Sequence, residues 1–173
     1  SSKAGGENYL TNLRTFDEMN EAHVAIKDSE RWLTLTGSKV ISTENLTSEK
    51  NYIRYKKFPK PILVLVDSST PECYFQYLEW LQTVFGSCVN VCTLKNNKEK
   101  FSEYERVRWL SSSEIPYSDG IIFDSRKLSQ RGDIEIRRWL TEQTISITSH
   151  RYGNINAGPK PTVKSDLESL ILF

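Results

Sequence analysis

The chain has 173 residues, and its 23 lysines and arginines nearly balance 22 aspartates and glutamates, which gives a formal net charge of +1 at pH 7. This balance argues against a dedicated nucleic-acid or anionic-membrane surface, because both require a clear basic excess, and no apolar run is long enough to cross a bilayer. A hydrophobic content of 38% suffices for a core, and three cysteines without a framework spacing indicate reduced thiols in an intracellular protein, cytoplasmic or nuclear.

Residues 1–58 are predicted to form an N-terminal extension made of a helix, a hairpin and a linker. Apolar residues recur at three- and four-residue steps over residues 10–26, which is typical of an amphipathic helix. Residues 32–42 alternate, are rich in β-forming residues and contain a turn signal at Gly37, so they predict a β-hairpin. Residues 43–58 are polar and charged and are interpreted as a linker.

Residues 59–173 are predicted to form an α/β domain. The continuous apolar run Ile62–Val66 is typical of a strand buried on both faces of a parallel sheet. The predicted elements that follow are a helix over 74–85, a strand over 89–94, a helix over 97–110, a strand over 120–123, a helix over 132–143, a strand over 145–148 and a closing helix over 165–173. This alternation implies right-handed crossovers and a three-layer sandwich around a mostly parallel sheet.

Two aspartates follow apolar runs at predicted strand ends. Asp67 comes directly after Ile-Leu-Val-Leu-Val, and Asp124 directly after Gly-Ile-Ile-Phe. Because ligands gather beyond the carboxyl ends of strands in open α/β sheets, we expect both carboxylates to meet in one crevice with the late Lys160. The hydroxyl of Thr148 or of Ser149, at the end of the predicted fourth strand, would lie beside them.

Four short motifs occur in a characteristic order. They are Val-Leu-Val-Asp67-Ser68, Gly-Ile-Ile-Phe-Asp124, the glycine-led segment 132–137 and Lys160-Pro161. Together they resemble the receiver domain of two-component response regulators and hybrid histidine kinases, over residues 59–173. The resemblance implies a flavodoxin-like, receiver-like fold, with Asp124 as phosphoryl acceptor, Lys160 as the cation paired with the phosphoryl group, and Thr148 as the hydroxyl that reports it.

The resemblance also implies a metal site. Phosphoryl transfer to a carboxylate uses a divalent cation, and Mg²⁺ prefers clustered carboxylate oxygens, so Asp67 and Asp124 are the predicted ligands. Receivers place a second acid beside the first, whereas this chain has Ser68, and Mg²⁺ binding is therefore expected to be weak or lost. The cation of Arg126 or of Lys127 could take the place of the metal.

These departures predict a pseudo-receiver: a non-catalytic or weakly active module of a His-Asp phosphorelay protein that acts by protein–protein contact. Its partners would be other domains or proteins of a signalling complex. Purely structural roles also remain open for the same residues. Asp67 can cap the helix that begins near Pro71, Asp124 can be a loop residue without phosphate chemistry, and Lys160-Pro161 can be an ordinary turn.

Two other functions remain open. A BRCT-like phosphopeptide-binding scaffold would hold its ligand with the basic cluster, which consists of Arg126, Lys127, Arg131, Arg137 and Arg138. That family normally has a glycine pair after its first helix, and only Gly86 occurs here. A metal-dependent hydrolase or nuclease would use Asp67, Asp119 and Asp124, but no further acid is well placed at a strand end.

Overall fold

The computed structural model describes residues 22–43 and 49–148. Its helices and strands in chain order are α1 (Ala22–Trp32), β1 (Ile41–Ser42), β2 (Glu49–Lys56), β3 (Ile62–Val66), α2 (Glu72–Phe85), β4 (Val89–Thr93), β5 (Arg106–Trp109), β6 (Phe123–Asp124), α3 (Gly132–Glu135) and β7 (Thr141–Thr148). Short helical turns of other types span Leu33–Gly37, Gly86–Cys88, Leu94–Asn96, Phe101–Glu103 and Ile136–Trp139. No helix in this part of the chain has the length and apolar character needed to cross a bilayer.

The described residues divide into two compact units. The larger contains residues 22–31 and 57–139, and the smaller contains residues 32–43, 49–56 and 140–148. The predicted domain boundary between residues 58 and 59 lies close to residues 56 and 57, where the chain passes from the smaller unit to the larger one. Each unit nevertheless contains residues from both sides of the predicted boundary. Sequence patterns miss this division because the strand β7, far along the chain, pairs with β2.

The larger unit is built on a four-stranded parallel sheet with the order β4-β3-β5-β6. All five residues of β3 are buried, as the apolar run predicts. The connection from β3 through α2 to β4 has the strand–helix–strand pattern expected of a parallel pair. The predicted α/β class with a mostly parallel sheet is therefore confirmed for this unit, and its strand order is compatible with a flavodoxin-like sheet.

Each face of this sheet has its own cover. Leu63 and Leu65 of β3 form a buried cluster with Val107 and Trp109 of β5, and the 3-10 turn that ends before Tyr104 packs against it. Helix α2 buries one stripe of its surface, which consists of Tyr74, Tyr77, Leu78, Leu81 and Phe85. The predicted helix over residues 74–85 is thus confirmed, and its apolar spacing is the reason that it packs.

The predicted helix over residues 97–110 is wrong. The segment forms a 3-10 turn at Phe101–Glu103 and then the strand β5, Arg106–Trp109. Tyr104 and Val107 do lie on one side, but so does Trp109, because side chains alternate along a strand. Arg108 points to the opposite face and is fully buried. Because Arg108 is charged, the sequence pattern favoured a helix with a solvated face, and the strand was not predicted.

Helices α1 and α3 approach each other closely at Gly132. A Cβ atom on Gly132 would lie 2.1 Å from the carbonyl oxygen of Ala25 and 2.5 Å from the amide nitrogen of Ser29. The Ser29 hydroxyl donates to the Gly132 carbonyl oxygen at 3.1 Å and bonds to the Tyr77 hydroxyl at 2.8 Å. The predicted helix over residues 132–143 is shorter than expected: α3 gives way to a 3-10 turn that ends at Trp139.

The smaller unit contains an antiparallel sheet with the order β1-β2-β7. All eight residues of β2 pair with β7, from Glu49 opposite Thr148 to Lys56 opposite Thr141. The interpretation of residues 43–58 as a linker is therefore wrong for 49–56. Their partner strand lies about ninety residues later in the chain, a distance over which local patterns carry no information.

The predicted hairpin over residues 32–42 is also replaced. Leu33–Gly37 forms one π-helical turn, and the short strand β1 then pairs with β2. Gly37 is required there because a Cβ atom would lie 2.4 Å from the ring of Trp32. Of the predicted helix over residues 10–26, the described residues 22–26 are helical. Residues 10–21, Lys160-Pro161 and the predicted helix over 165–173 lie outside the described residues.

Candidate functional site

The strand order creates a topological switch point at the carboxyl ends of β3 and β5. The chain leaves β3 for β4 on one side and returns to β5 on the other side of β3. Connections that diverge in this way leave a crevice where ligands bind in open α/β sheets. The two loops at this point are tied together, because the Ser112 amide donates to the Ser69 hydroxyl oxygen at 2.9 Å and the Leu110 amide donates to the Leu65 carbonyl at 3.0 Å.

Asp67 lies at the centre of this junction. Its carboxylate accepts hydrogen bonds from the Ser69 amide at 2.9 Å, from the Ser113 hydroxyl at 3.2 Å, and from the hydroxyls of Ser69 and Ser111. The bond from Ser111, followed by that from Ser69, lowers the pKa of Asp67 to about 2. Asp67 is therefore ionised at neutral pH and links the loop after β3 to the loop after β5.

The alternative in which Asp67 caps a helix is wrong. Its side chain accepts from the amide two residues on, as aspartate does in a turn. The residue at the cap position of α2 is Pro71, and no side chain makes a capping hydrogen bond there. Asp67 thus shapes the crevice rather than the start of the helix.

A cavity of about 250 Å³ opens beside this junction. Its lining residues are Ser69, Pro71, Tyr74, Trp109, Leu110, Ser111, Ser112, Ser125 and Lys127. Tyr74, Trp109 and Leu110 are buried, whereas Ser125 and Lys127 are exposed. The cavity therefore has an apolar floor and a polar rim.

Asp124 lies away from Asp67. In the register of the sheet Asp124 pairs with Arg108, which in turn pairs with Val64, three residues before Asp67. Two strand spacings and three residues of rise separate the two positions by about 10 Å in each direction. Magnesium ligands lie only about 2.1 Å from the ion. The structure does not bring Asp67 and Asp124 together as joint Mg²⁺ ligands. The strand that ends at Asp124 was predicted to be the third, but it is the fourth, β6, and β5 lies between it and β3.

The carboxylate of Asp124 is engaged by two guanidinium groups. Arg126 donates to it in bidentate fashion, with Nε 2.9 Å from Oδ1 and Nη2 2.7 Å from Oδ2. Nη1 of Arg108 lies 2.8 Å from Oδ2. Burial raises the pKa of Asp124, but the bonds from Arg126 and the charge of Arg108 outweigh it and hold the pKa well below its usual range. Arg126, one of the two cations expected near this carboxylate, thus pairs with Asp124, and its role as a substitute for a metal ion stays a prediction.

Arg108 and Glu135 extend this cluster into the interior. Both are fully buried, and Nη2 of Arg108 lies 2.9 Å from Oε1 of Glu135. Glu135 also accepts from the Ser129 amide at 2.8 Å, from Arg138 Nη1 at 2.7 Å and from the Trp139 indole at 3.2 Å. A buried ion pair needs such additional donors to offset its desolvation. Arg108, Asp124 and Glu135 are called the buried ion cluster here. Its two carboxylates have several donors, whereas Nε of Arg108 is buried without a hydrogen-bond partner and Nη1 meets Asp124 as an ion pair only.

The basic cluster proposed for phosphopeptide binding is partly used inside the unit. Arg126 and Arg138 pair with Asp124 and Glu135 as described, and Arg131 pairs with Asp133, Nη2 to Oδ2, at 2.9 Å. A phosphate would therefore compete with carboxylates that these arginines already hold. The phosphopeptide hypothesis stays a prediction.

The placement of Thr148 at the end of a parallel strand is wrong. Thr148 ends β7 and pairs with Glu49 in the antiparallel sheet of the smaller unit. The predicted fourth strand was assigned to the parallel sheet because it followed a helix, and strand alternation alone does not specify which sheet a strand joins.

Lys160 lies outside the described residues. Ser68 is exposed in the turn after Asp67, and Asp119 is exposed in the loop before β6.

Sequence reasoning missed most residues of the crevice. The run Ser111-Ser112-Ser113 looked like a helix breaker, whereas it follows a strand and supplies two hydroxyls to Asp67. The available signal was the alternation of Val107 and Trp109 immediately before it. Lys127, predicted as a substitute for the metal or as part of the phosphopeptide-binding cluster, lines the cavity.

The larger unit is an α/β domain with a parallel sheet. Part of proline utilization A (PutA) from Corynebacterium freiburgense has a similar structure, with a TM-score of 0.59 and 21% sequence identity over 77% of this chain. At that identity the similarity shows the fold alone. The chain spans 14% of the length of that protein. No protein-family model matches the chain, and a search of curated proteins finds no match either.

Proposed function

We propose that this chain is a non-catalytic α/β module that acts by protein–protein contact with other domains or proteins of a signalling complex. The observation that carries the proposal is the position of Asp124 between Arg108 and Arg126. In a working receiver, the matching aspartate would have to be open to a phosphodonor and a metal ion. Here both of its oxygens already accept from guanidinium groups.

The buried partner makes this arrangement costly to open. Arg108 is fully buried, and separating one partner from a buried ion pair typically costs about 3–5 kcal/mol. An acyl phosphate at Asp124 would require that pair to be broken and rebuilt around a larger group. The bidentate bond from Arg126 would be lost as well, which favours a structural role for this carboxylate.

The first acid supports the same conclusion. Asp67 accepts hydrogen bonds from three serine hydroxyls, and a magnesium ion would have to displace them. Its distance from Asp124 along and across the sheet works against a shared ion. A receiver-like domain with this chemistry would act through its surface.

Two measurements test the proposal. Incubation with acetyl phosphate and Mg²⁺ should leave the intact mass unchanged, and a gain of one phosphoryl group that disappears in Asp124→Asn would show a working receiver. Asp119→Asn, a change at an exposed loop position, is the matched control.

For the contact role, purification from the native source should yield the chain in a complex of fixed stoichiometry. Recovery as a free chain would contradict that role.

A further inference from the structure

We propose that strand β7 pairs edge to edge with β7 of a second copy of this chain, so that two smaller units form one continuous antiparallel sheet. β7 is the last strand in the order β1-β2-β7, and among the described residues no strand pairs with its outer edge. The proposal goes beyond the function proposed above and is tested separately, because it concerns the purified chain alone.

The register of the sheet shows which backbone groups lie on the open edge. The amide of Thr43, the residue after β1, donates to the Asn51 carbonyl oxygen at 2.9 Å, so the backbone groups of Asn51 are directed toward β1. Because these groups alternate in direction along a strand, those of Tyr52 are directed toward Ile145, its partner in β7. The open edge therefore consists of the N–H and C=O groups of the other alternate residues of β7, which are Glu142, Thr144, Ser146 and Thr148.

This edge has few of the features that usually prevent edge pairing. Edge strands are commonly short, contain lysine or proline, or are interrupted by a bulge. β7 is eight residues long, contains no lysine or proline, and pairs with β2 along its whole length without a bulge. Five of its residues are threonine or isoleucine, whose branched side chains favour strands. β7 is therefore suited to pair with another strand.

The sheet of the smaller unit is also incomplete by itself. β2 and β7 form a long ribbon, β1 adds two residues, and neither β2 nor β7 contains a buried residue. A two-stranded ribbon is marginally stable in water, whereas three or more strands with an apolar face are stable. Pairing of two copies through β7 places four long strands side by side.

The backbone of β7 is complementary to its own copy. Antiparallel pairing about a twofold axis at Ile145 places Glu142 opposite Thr148 and Thr144 opposite Ser146. Each of these pairs occurs twice and exchanges two hydrogen bonds, which gives about eight bonds, within the range of about 10 ± 5 in typical interfaces. No other register joins all four residues of the open edge.

The side chains suit the same register. Ile145 lies opposite its own copy at a position without hydrogen bonds between the copies, where side chains approach most closely, and Ile147 lies on the same face. Both isoleucines are half-buried in the single chain and gain cover from their copies. The two Glu142 carboxylates are six residues apart along the strands, about 20 Å, so their repulsion is screened. The formal net charge of +1 adds little repulsion.

Analytical ultracentrifugation of the purified chain tests the proposal. A reversible monomer–dimer equilibrium is expected without larger species, because a twofold interface closes on itself. Thr144→Pro should weaken the dimer about tenfold or more, since proline removes an edge donor and leaves the bonds to β2 in place. Thr144→Ala keeps the donor at this exposed position and should leave the dimer unchanged. A monomeric chain, which would leave the edge to a strand of a different protein, overturns the proposal, as do open-ended assemblies or a dimer that Thr144→Pro does not weaken.

A cysteine crosslink tests the register without the proline variant. Ile145→Cys places two thiols opposite each other, with Cα atoms about 4.5 Å apart, within the disulfide range of about 4.4–6.8 Å. Thr141→Cys is the matched control on the same face, because its copy lies eight residues away along the strands, about 27 Å. The unchanged chain gives the baseline from its three native cysteines. Mild oxidation should link Ile145→Cys alone above that baseline, and equal linkage of the two variants, or none, overturns the proposal.

Discussion

Arg108 and Asp124 occupy paired positions on neighbouring parallel strands, and their side chains form an ion pair with Nη1 2.8 Å from Oδ2. Both side chains are buried, and Glu135 binds the same guanidinium from the helix side. The aspartate that the sequence marks as a phosphoryl acceptor is therefore part of the interior. This relationship sets the expected behaviour of the cluster and of the variants below.

Replacing Arg108 by Met should destabilise the larger unit strongly. The change leaves the carboxylates of Asp124 and Glu135 buried without their shared cation, and the expected cost is about 3–5 kcal/mol. The free energy of unfolding from urea denaturation measures it. Arg126→Met is the matched comparison, since that side chain is 56% exposed and its loss should cost only about 1 kcal/mol. Equal losses in the two variants would show that burial of Arg108 contributes nothing.

Stability should fall at low pH because two aspartates have lowered pKa values. The pKa of Asp67 is about 2 and that of Asp124 is well below its usual range, whereas an unfolded aspartate titrates at about 3.9. Their contribution is therefore fully present above about pH 4 and is lost as the pH falls through the folded values. Urea denaturation between pH 6 and pH 2 measures this loss. Asp67→Asn should flatten part of the profile, and a profile identical to that of the unchanged protein would contradict the assignment.

Ser111 should control the ionisation of Asp67. Its hydroxyl makes the hydrogen bond that contributes most to the lowered pKa, so Ser111→Ala should raise the pKa of Asp67 from about 2 toward the ordinary value. Carbon-detected magnetic resonance of the Asp67 carboxyl follows the titration. Ser112→Ala is the control, because the Ser112 side chain makes none of the hydrogen bonds that lower this pKa. A pKa of Asp67 that Ser111→Ala leaves unchanged would mean that the hydrogen bond from Ser111 is not the cause of the lowered value.

Gly132 should resist replacement by alanine. A methyl group there would meet the backbone of α1 at 2.1 Å and 2.5 Å, and backbone atoms cannot move aside as a flexible side chain can. The expected loss is about 1–3 kcal/mol, the usual cost of overpacking, and thermal denaturation measures it. Gly86→Ala is the comparison. Its φ of +57° strains an alanine, but nothing lies within 4 Å, so the loss should be near 1 kcal/mol. A Gly132→Ala protein as stable as the unchanged chain would exclude the close approach.

The sequence predicts the parts of the fold in which burial and local periodicity agree. The run Ile62–Val66 is apolar throughout and is buried throughout, and the stripe of α2 recurs at helical spacing. Strand β5 is different, because it contains the charged residue Arg108. This side chain is buried only because Asp124 and Glu135 neutralise its charge. No local pattern reveals an ion cluster assembled from three distant segments.

The candidate site follows the same rule. Asp67 was expected at the end of a buried strand, and it lies there, because that expectation needed one strand only. Its pairing with Asp124 needed the order of the strands, and one unrecognised strand moved Asp124 to the edge of the sheet. The role of Ser111 depended on the same strand. The pairing of β2 with β7 lay beyond any local signal.

The most direct test of the central claim is a titration with beryllofluoride and Mg²⁺, a mimic of the phosphoryl group, followed by amide magnetic resonance. If Asp124 is held by Arg108 and Arg126, its amide and those of Arg126 and Lys127 should keep their positions through the titration. Large, saturable shifts centred on Asp124 would show an open acceptor and contradict the account.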